Sequence, residues 1–305
     1  MLPAVVSIAT TLCFGLAGAS LTCSSESQPN PIPTAGGTNP SGTINGTLAV
    51  LPIPLSEAQR IVGDKYTIQT AAYRELLPSF PADMYPAIIQ AVLDHDIQAS
   101  GIRIPDFTRI SIEYPFISIP GTNRSTSFRL APIQAISATN PIAIAGSAAY
   151  GTHVFPATFD PPCDAYAPSG LDTPTTTTTT THLNANHVLK DLSPGPLFTT
   201  EFTTPGAAGG ESPYPLSFFV NVTNQPSFAD PAKGCDRQVR LFDTAVTLPP
   251  WEPVAVRGDV WASEDVFKGD VVKGDGGSGR KWEGAWGFRL DTAFIEYNLL
   301  KCDTL

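Results

Sequence analysis

Alternating apolar and polar residues indicate β-strands along much of the chain. In the run Ile110–Ile119 the apolar side chains of Ile110, Ile112 and Tyr114 share one face, and Glu113 lies on the other. Four later runs of β-branched and aromatic residues, separated by Pro, Gly and Asp, predict further strands. These runs are Leu216–Val222, Val239–Leu248, Pro253–Trp261 and Trp282–Leu300.

A second early strand, Thr126–Leu130, places Arg129 near its end. If the sheet closes on itself, the residues on its inner face line a cavity. Glu113 and Arg129 would then form a buried pair or bind a substrate. The alternative is an exposed face or a purely structural ion pair.

Helical patterns occur in two places. Ser56-Glu-Ala-Gln59 has the form of a capping box and predicts a short helix through Val62. Pro86 suits the first position of a second helix, in which Ile88, Ile89, Val92 and Leu93 would form one apolar face.

Asp94, His95 and Asp96 follow at the end of this predicted second helix. An imidazole between two carboxylates suits a ligand cluster. A solvated helix end is the other interpretation, and the one that we favour.

The run Asn140–Phe159 is built largely from small apolar residues, carries no charged residue and contains one histidine, His153. It begins as a buried strand or a tight turn of helix, and Gly146 and Gly151 allow close approach of a backbone or ligand. We interpret it as a pocket floor ending in an imidazole. The alternative is a core segment with one hydrogen-bonded histidine.

Composition narrows the fold class and the partners. Of 305 residues, 42% are hydrophobic and 15% charged, with 30 Pro and 25 Gly, which favours short strands joined by turns. The formal net charge of -10 argues against binding to nucleic acid or to anionic membranes.

The N-terminus resembles an export signal. Leu2–Gly18 is uncharged and apolar, and Ala17-Gly18-Ala19 fits a cleavage site, which predicts a signal peptide over residues 1–19 and a secreted protein. A membrane anchor is the alternative, although the run is short for a span. Residues 20–47, rich in Ser, Pro, Gly, Thr and Asn, predict a flexible leader before a domain over 48–305.

Cysteines and sequons agree with export. After signal cleavage four cysteines remain, Cys23, Cys163, Cys235 and Cys302, which fits two disulfides. Three pairings are possible, and our hypothesis is Cys23 with Cys302 and Cys163 with Cys235. Glycosylation sequons begin at Asn45, Asn123 and Asn221.

The segment 164–204 is loop-like and contains seven consecutive threonines, Thr175–Thr181, which indicates an exposed insertion. His182 and His187, five residues apart, lack the spacing of a helical metal site. The glycine-rich stretch Gly269–Gly279 predicts a hairpin loop and lacks the order of a phosphate loop. We therefore expect no metal and no cofactor.

Three stretches resemble the acetoacetate decarboxylase family. Asn140–Gly151 is similar to the run that leads to that family's active-site lysines, Arg240–Val254 to its late strand and loop, and Phe288–Tyr297 to its final strand. Leu55–Val62 is similar to its first helix. The resemblance covers most of residues 48–300 and implies a mainly β (α+β) fold: a single closed β-barrel with a few helices and an apolar cavity.

The chemistry departs from the family's pattern. Its decarboxylases form a Schiff base through a lysine whose pKa is depressed by an apolar pocket and a neighbouring cation. The matching position here is Val154, beside His153, and a shifted match gives Ala157 or Thr158. Glu113 corresponds loosely to a cavity glutamate of the family.

Two classes of function follow. The first is a cofactor-free enzyme, of a lyase-like kind suited to secondary metabolism, that decarboxylates, dehydrates or cyclises a carbonyl or β-keto (polyketide-like) small molecule. His153 would be its general acid or base, Glu113 would orient His153, and Arg129 would hold an oxygen anion. The second is a secreted small-molecule-binding protein that has lost catalysis. A glycosylated surface protein without a small ligand is a weaker third.

Overall fold

The computed structural model describes residues 27–32, 39–99, 101–168, 180–188, 195–205, 210–249, 251–266 and 279–305. The strands are β1 Ser41–Pro54, β2 Thr67–Ile68, β3 Met84–Ala99, β4 Ile102–Ile104, β5 Phe107–Ser118, β6 Phe128–Leu130, β7 Ile133–Ser137, β8 His153–Asp160, β9 Ala167–Pro168, β10 Thr180–His187, β11 Pro196–Thr203, β12 Ser227–Phe228, β13 Cys235–Leu241, β14 Val254–Ser263 and β15 Gly279–Leu300. The α-helices of the described residues are α1 Leu55–Val62, α2 Thr70–Leu76, α3 Pro141–Ala149 and α4 Leu216–Thr223.

The fold is mainly β, and its strand pairings close into a ring-like arrangement. Hydrogen-bonded neighbours run in the order β5-β7-β8-β10-β11-β14-β15-β1-β3, and β3 pairs again with β5. A second circuit passes from β5 through β6, β12 and β13 to β15. The sheet is mixed, because β7–β8 and β6–β12 are parallel and the other pairs are antiparallel.

Alternation along β5 separates two environments, as the sequence predicts. Ile110 and Ile112 are buried in the apolar core on one face, while Arg109, Ser111 and Glu113 share the other face. Residues directly opposite across a ladder lie on the same face of a sheet, so β3 adds Gln90, opposite Ser111, to the polar face.

The predicted helix after Pro86 is wrong, because this segment is the long strand β3. Ile88, Ile89, Val92 and Leu93 are all fully buried, on both faces of the strand. A continuous apolar run of this kind fits a strand covered on both sides as well as it fits a helix face, so periodicity alone is ambiguous.

Other boundaries also differ from the sequence predictions. β1 begins at Ser41, within the predicted leader, and Leu216–Thr223 is a helix, not a strand. The capping box does not form: α1 has no side-chain cap, and Gln59 Nε2 donates to the carbonyl oxygens of Gly63 and Tyr66. The amide of Gln59 therefore caps carbonyl groups at the C-terminal end of α1 and does not bond to its N-terminus.

The predicted insertion at 164–204 supplies part of the sheet. β10 and β11 form an antiparallel pair that connects β8 to β14, so this segment completes the ring. Residues 169–179, which hold most of the threonine tract, lie outside the described residues, as do the predicted signal peptide and the hairpin loop at 267–278.

Cys235 and Cys302 form a disulfide that ties β13 to the C-terminus, so the hypothesis that paired them with other cysteines is wrong. Cys163 is disulfide-bonded as well, and Cys23 lies outside the described residues.

Two sequon asparagines, Asn123 and Asn221, are exposed, whereas Asn45 lies in the middle of β1 and is buried. Asn45 is therefore inaccessible to a glycan in the folded protein. No helix in the described part of the chain is both long and apolar enough to cross a bilayer.

Close contact between β1 and β15 requires glycine at position 287. A Cβ atom there would lie 1.9 Å from the carbonyl oxygen of Leu48. We expect Gly287→Ala to lower the free energy of unfolding by on the order of 1–3 kcal/mol, because backbone must move to admit the methyl group. Urea denaturation measures this change.

Gly146→Ala is the matched control, since a Cβ at this exposed helix position has no neighbour within 4 Å. It should leave stability unchanged or raise it by about 0.5–1 kcal/mol. Equal stability of Gly287→Ala and wild type would contradict the observed β1–β15 packing.

Candidate active site

A cavity of about 400 Å³ lies between the polar face of the sheet and α3. This volume is within the range of small-molecule sites. Its apolar lining comes from Ile97, Phe107, Phe228 and Phe294 on the strands and from Ile142 on α3. The run that was interpreted as a buried pocket floor thus covers the cavity as a helix, and none of the α3 residues is buried.

Polar side chains reach the cavity from alternating strand positions. β13 contributes Asp236 and Gln238, and β15 contributes Glu296 and Asn298. Gln238 and Glu296 are directly opposite in the β13–β15 ladder, which places these side chains on one face.

Glu113 and Arg129 meet in this cavity. Arg129 Nε lies 2.5 Å from Glu113 Oε2, and both residues are almost fully buried. Gln90 Nε2 donates to the same carboxylate at 2.5 Å, and Ser111 Oγ donates at 2.9 Å. Burial by itself raises the pKa of Glu113, but the charges of Arg129 and Arg109 and these hydrogen bonds outweigh it and hold the pKa below its usual range.

A second ion pair lies beside the first. Arg109 Nε donates to Asp94 Oδ2 at 2.7 Å, and both side chains line the cavity. Behind them Arg240 donates to Gln90 Oε1 at 2.5 Å. Burial, together with repulsion from Arg109 and Arg129, lowers the pKa of Arg240 to about 9, so this arginine remains charged at neutral pH.

Asp236 and Glu296 are neighbouring carboxyl groups on the cavity wall, and each shifts the pKa of the other. Burial raises the pKa of Asp236 to about 6. Burial and the negative charges of Asp236 and Asp94 raise the pKa of Glu296 well above its ordinary value. Glu296 therefore holds a proton more readily than Asp236 does, and a single proton on the pair resides there.

This shared proton balances the charge of the cluster. Three arginines face four carboxyl groups, and with one carboxyl protonated the charges cancel. The residues are Arg109, Arg129 and Arg240, with Asp94, Glu113, Asp236 and Glu296. A neutral cluster avoids the high cost of an uncompensated charge away from water.

His153 lies outside the cavity. It pairs with Ile133 in the β7–β8 ladder, and the next pair, Gln134 with Val154, is on the cavity side. The exposed His153 ring therefore points to the opposite face, where it packs edge-on against Phe155 with ring centroids 4.6 Å apart. The sequence analysis placed the imidazole at the end of a pocket floor, whereas the structure places it at the start of β8 and outside the cavity.

His95 is fully buried and does not lie at a solvated helix end. Its Nε2 is 2.8 Å from Ser27 Oγ, and its Nδ1 is 3.1 Å from Asp96 Oδ2. Alternation along β3 directs Asp94 into the cavity and His95 to the opposite face, so the three residues do not form one ligand cluster. No group of three or more His, Cys, Asp or Glu side chains in the described residues has the geometry of a metal site.

None of the described lysines, which are Lys65, Lys233, Lys281 and Lys301, lines the cavity. Its cations are arginines, whose guanidinium groups do not form Schiff bases at neutral pH. Sequence reasoning missed Arg109, Asp236, Arg240 and Glu296, and it considered Asp94 only as part of a cluster with His95 and Asp96. A single ionisable residue in a strand gives little signal of its own until the pairing is known.

Comparison with solved structures finds enzymes as neighbours, one of which is described as acetoacetate decarboxylase-like. The enduracididine biosynthesis enzyme MppR complexed with pyruvate aligns with a TM-score of 0.42 and 10% identity over 94% of this chain and 95% of its own. An acetoacetate decarboxylase-like enzyme from Sphingomonas wittichii RW1 aligns with a TM-score of 0.43 and 6% identity over 85% of this chain and 91% of its own. MppR complexed with the condensation product of pyruvate and imidazole 4-carboxaldehyde aligns with a TM-score of 0.40 and 10% identity over 91% of this chain and 95% of its own.

A scan against protein-family models finds no match, and a search of curated protein sequences finds none. The assignment of the site therefore rests on the geometry and charge of this chain's own residues.

Removing Arg129 should destabilise the protein more than removing the whole pair. Arg129→Met leaves the Glu113 carboxylate buried and unpaired, with an expected loss of about 3–5 kcal/mol in the free energy of unfolding. Adding Glu113→Gln should restore much of this loss. Urea denaturation of the two single variants and the double variant gives the coupling, and additive losses would contradict a direct ion pair.

The carboxyl pair predicts a pH-dependent loss of stability. Because the pKa of Asp236 is raised on folding, its contribution is fully present below the unfolded pKa and is lost as pH rises through about 6. Asp236→Asn removes this loss, so its melting temperature should rise relative to wild type between pH 5 and pH 8, by an amount equivalent to roughly 1–2 kcal/mol. The exposed Asp64→Asn is the control. If the melting temperatures of Asp236→Asn and wild type differ by the same amount at pH 5 and at pH 8, the raised pKa of Asp236 is contradicted.

Proposed function

We propose that this protein is a cofactor-free enzyme that acts on a carbonyl or β-keto small molecule by acid–base chemistry in the cavity under α3. The observation that carries the proposal is the Asp236–Glu296 pair, two neighbouring carboxyl groups on a cavity wall, both with raised pKa values. Such a pair supplies a proton donor and a proton acceptor at the same place.

Charge balance favours an anionic substrate whose binding is accompanied by uptake of one proton from solvent. A substrate carboxylate adds one negative charge to the neutral cluster. Protonation of Asp236 as well as Glu296 would offset that charge, and the pKa of about 6 at Asp236 puts this step within reach at neutral pH. Arg109 and Arg129, which both line the cavity, would hold the anion.

For a β-keto acid the proposed step balances as follows. The bond from Cα to the carboxylate breaks, and its electron pair forms the double bond of an enol. The ketone oxygen takes the proton of Glu296, and carbon dioxide leaves. The Glu296 carboxylate then takes back the enol proton, while Asp236 gives to Cα the proton that it took up with the substrate. Both side chains return to their starting state, and the net reaction consumes one proton from solvent.

Enol formation is common to decarboxylation, dehydration and cyclisation, so the same residues suit any of the three. His153 has no part in this proposal, because its exposed ring lies on the other face of β8. Without a cavity lysine among the described residues, the carbonyl carbon would remain free of a covalent bond to the protein.

The proposals on fold and export rest on other observations, which are the strand pairings and the disulfide. We propose that the ring of strands is a β-barrel of the acetoacetate decarboxylase-like kind, and that the domain follows a cleaved signal peptide. The Cys235–Cys302 disulfide supports a secreted protein in an oxidising compartment, and exposed Asn123 and Asn221 would be its glycosylation sites.

A binding protein without catalysis is the second candidate. It is favoured by the ion pairs of Arg109 with Asp94 and Arg129 with Glu113, which already satisfy both cavity cations. Ile142 and Leu299 line the cavity and are 53% and 63% exposed, which fits entry of an apolar ligand.

The test combines proton exchange with carbon dioxide release. A panel of β-keto acids in deuterium oxide should show deuterium at Cα or release of carbon dioxide, measured by mass spectrometry. Asp236→Asn and Glu296→Gln should each lower kcat by about 10²–10⁴-fold, because either change removes an acid–base partner. His153→Ala, which alters an exposed residue outside the cavity, should keep the wild-type rate.

Borohydride added during turnover should leave the intact mass unchanged, since no Schiff base forms. A covalent adduct would overturn the lysine-free mechanism. Ligand binding without deuterium exchange or release of carbon dioxide would contradict the enzyme proposal and support the binding protein.

A further inference from the structure

A polar groove of about 410 Å³ lies away from the cavity, on the sheet formed by β10, β11, β14 and β15. Its lining comes from two rows of side chains that cross these strands. The first row is Asn184, Thr199, Trp261 and Lys281, and the second is His182, Glu201 and Asp259. Ladder pairs connect each row, such as Asn184 with Thr199 and Trp261 with Lys281.

Trp261 forms a flat surface in this groove because it packs on a glycine. A Cβ atom at position 279 would lie 2.5 Å from Trp261 Cζ2, a separation that real side chains do not show. The indole therefore rests on the backbone of Gly279, and its other surface contributes to the groove. A tryptophan so placed offers a large apolar face together with a polar N–H group.

Lys281 is paired with two carboxylates, because its Nζ is 3.0 Å from Asp259 Oδ2 and 2.9 Å from Glu283 Oε1. His182 Nε2 lies 3.6 Å from Asp160 Oδ2, and Glu201 adds a further carboxylate that can accept hydrogen bonds from a ligand. An anion such as phosphate would have to break the pairs of Lys281 and would face these carboxylates. The groove therefore suits a neutral ligand with many hydroxyl groups, for which the lining offers both donors and acceptors.

From this geometry we infer that the groove is a carbohydrate-binding site, in which a pyranose ring stacks on Trp261 and its hydroxyl groups bond to the two rows. Neighbouring strands are about 4.8 Å apart, so four strands span roughly 15 Å, enough for more than one sugar ring. The site is independent of the acid–base cavity and remains if the proposed reaction fails.

The test is binding of four soluble hexasaccharides: cellohexaose, chitohexaose, maltohexaose and mannohexaose. Isothermal titration calorimetry should show binding of at least one of the four hexasaccharides, and Trp261→Ala should raise its Kd about tenfold or more. Gly279→Ala should also weaken binding, because its methyl group displaces the indole while the aromatic side chain remains.

Trp251→Ala is the matched control, because Trp251 is 47% exposed and lies outside the groove. It should bind as wild type does. Circular dichroism and melting temperature confirm that each variant is folded. If none of the four hexasaccharides binds, or if Trp261→Ala binds as tightly as wild type, the inference is overturned.

Discussion

The cavity depends on electrostatic neutrality in a place that water reaches poorly. Three arginines and four carboxyl groups lie together on the inner face of the sheet, and a single proton on the Asp236–Glu296 pair makes their charges cancel. Removal of that proton would leave one uncompensated charge, with a large desolvation cost. The same requirement that permits the fold therefore keeps an acid and a base side by side.

The closed sheet brings these residues together from distant parts of the sequence. Glu113 and Arg129 come from β5 and β6, while Asp236 and Glu296 come from β13 and β15. β5 and β6 contribute Glu113 and Arg129 to the cavity, and their alternate residues Ile112, Phe128 and Leu130 belong to the apolar core. The polar site and the core thus lie on opposite faces of these two strands, and α3 covers the polar side.

Strand periodicity and single residue types could be predicted from the sequence, but their partners could not. The alternation around Glu113 gave its face correctly, and Arg129 was placed on the strand that meets it. His153 was assigned to the pocket because its apolar neighbours suggested burial, whereas the β7–β8 register directs it outward. β3 was mistaken for a helix because burial on both faces removes the period of two.

The central claim is that one proton is shared by Asp236 and Glu296. Carbon-13 NMR of the Asp and Glu carboxyl carbons across pH 3–9, with Asp236→Asn and Glu296→Gln to assign the signals, measures this directly. We expect one carboxyl that titrates near pH 6 and a second whose pKa lies well above its ordinary value. Titration of both carboxyls near their ordinary values of about 4 would contradict it.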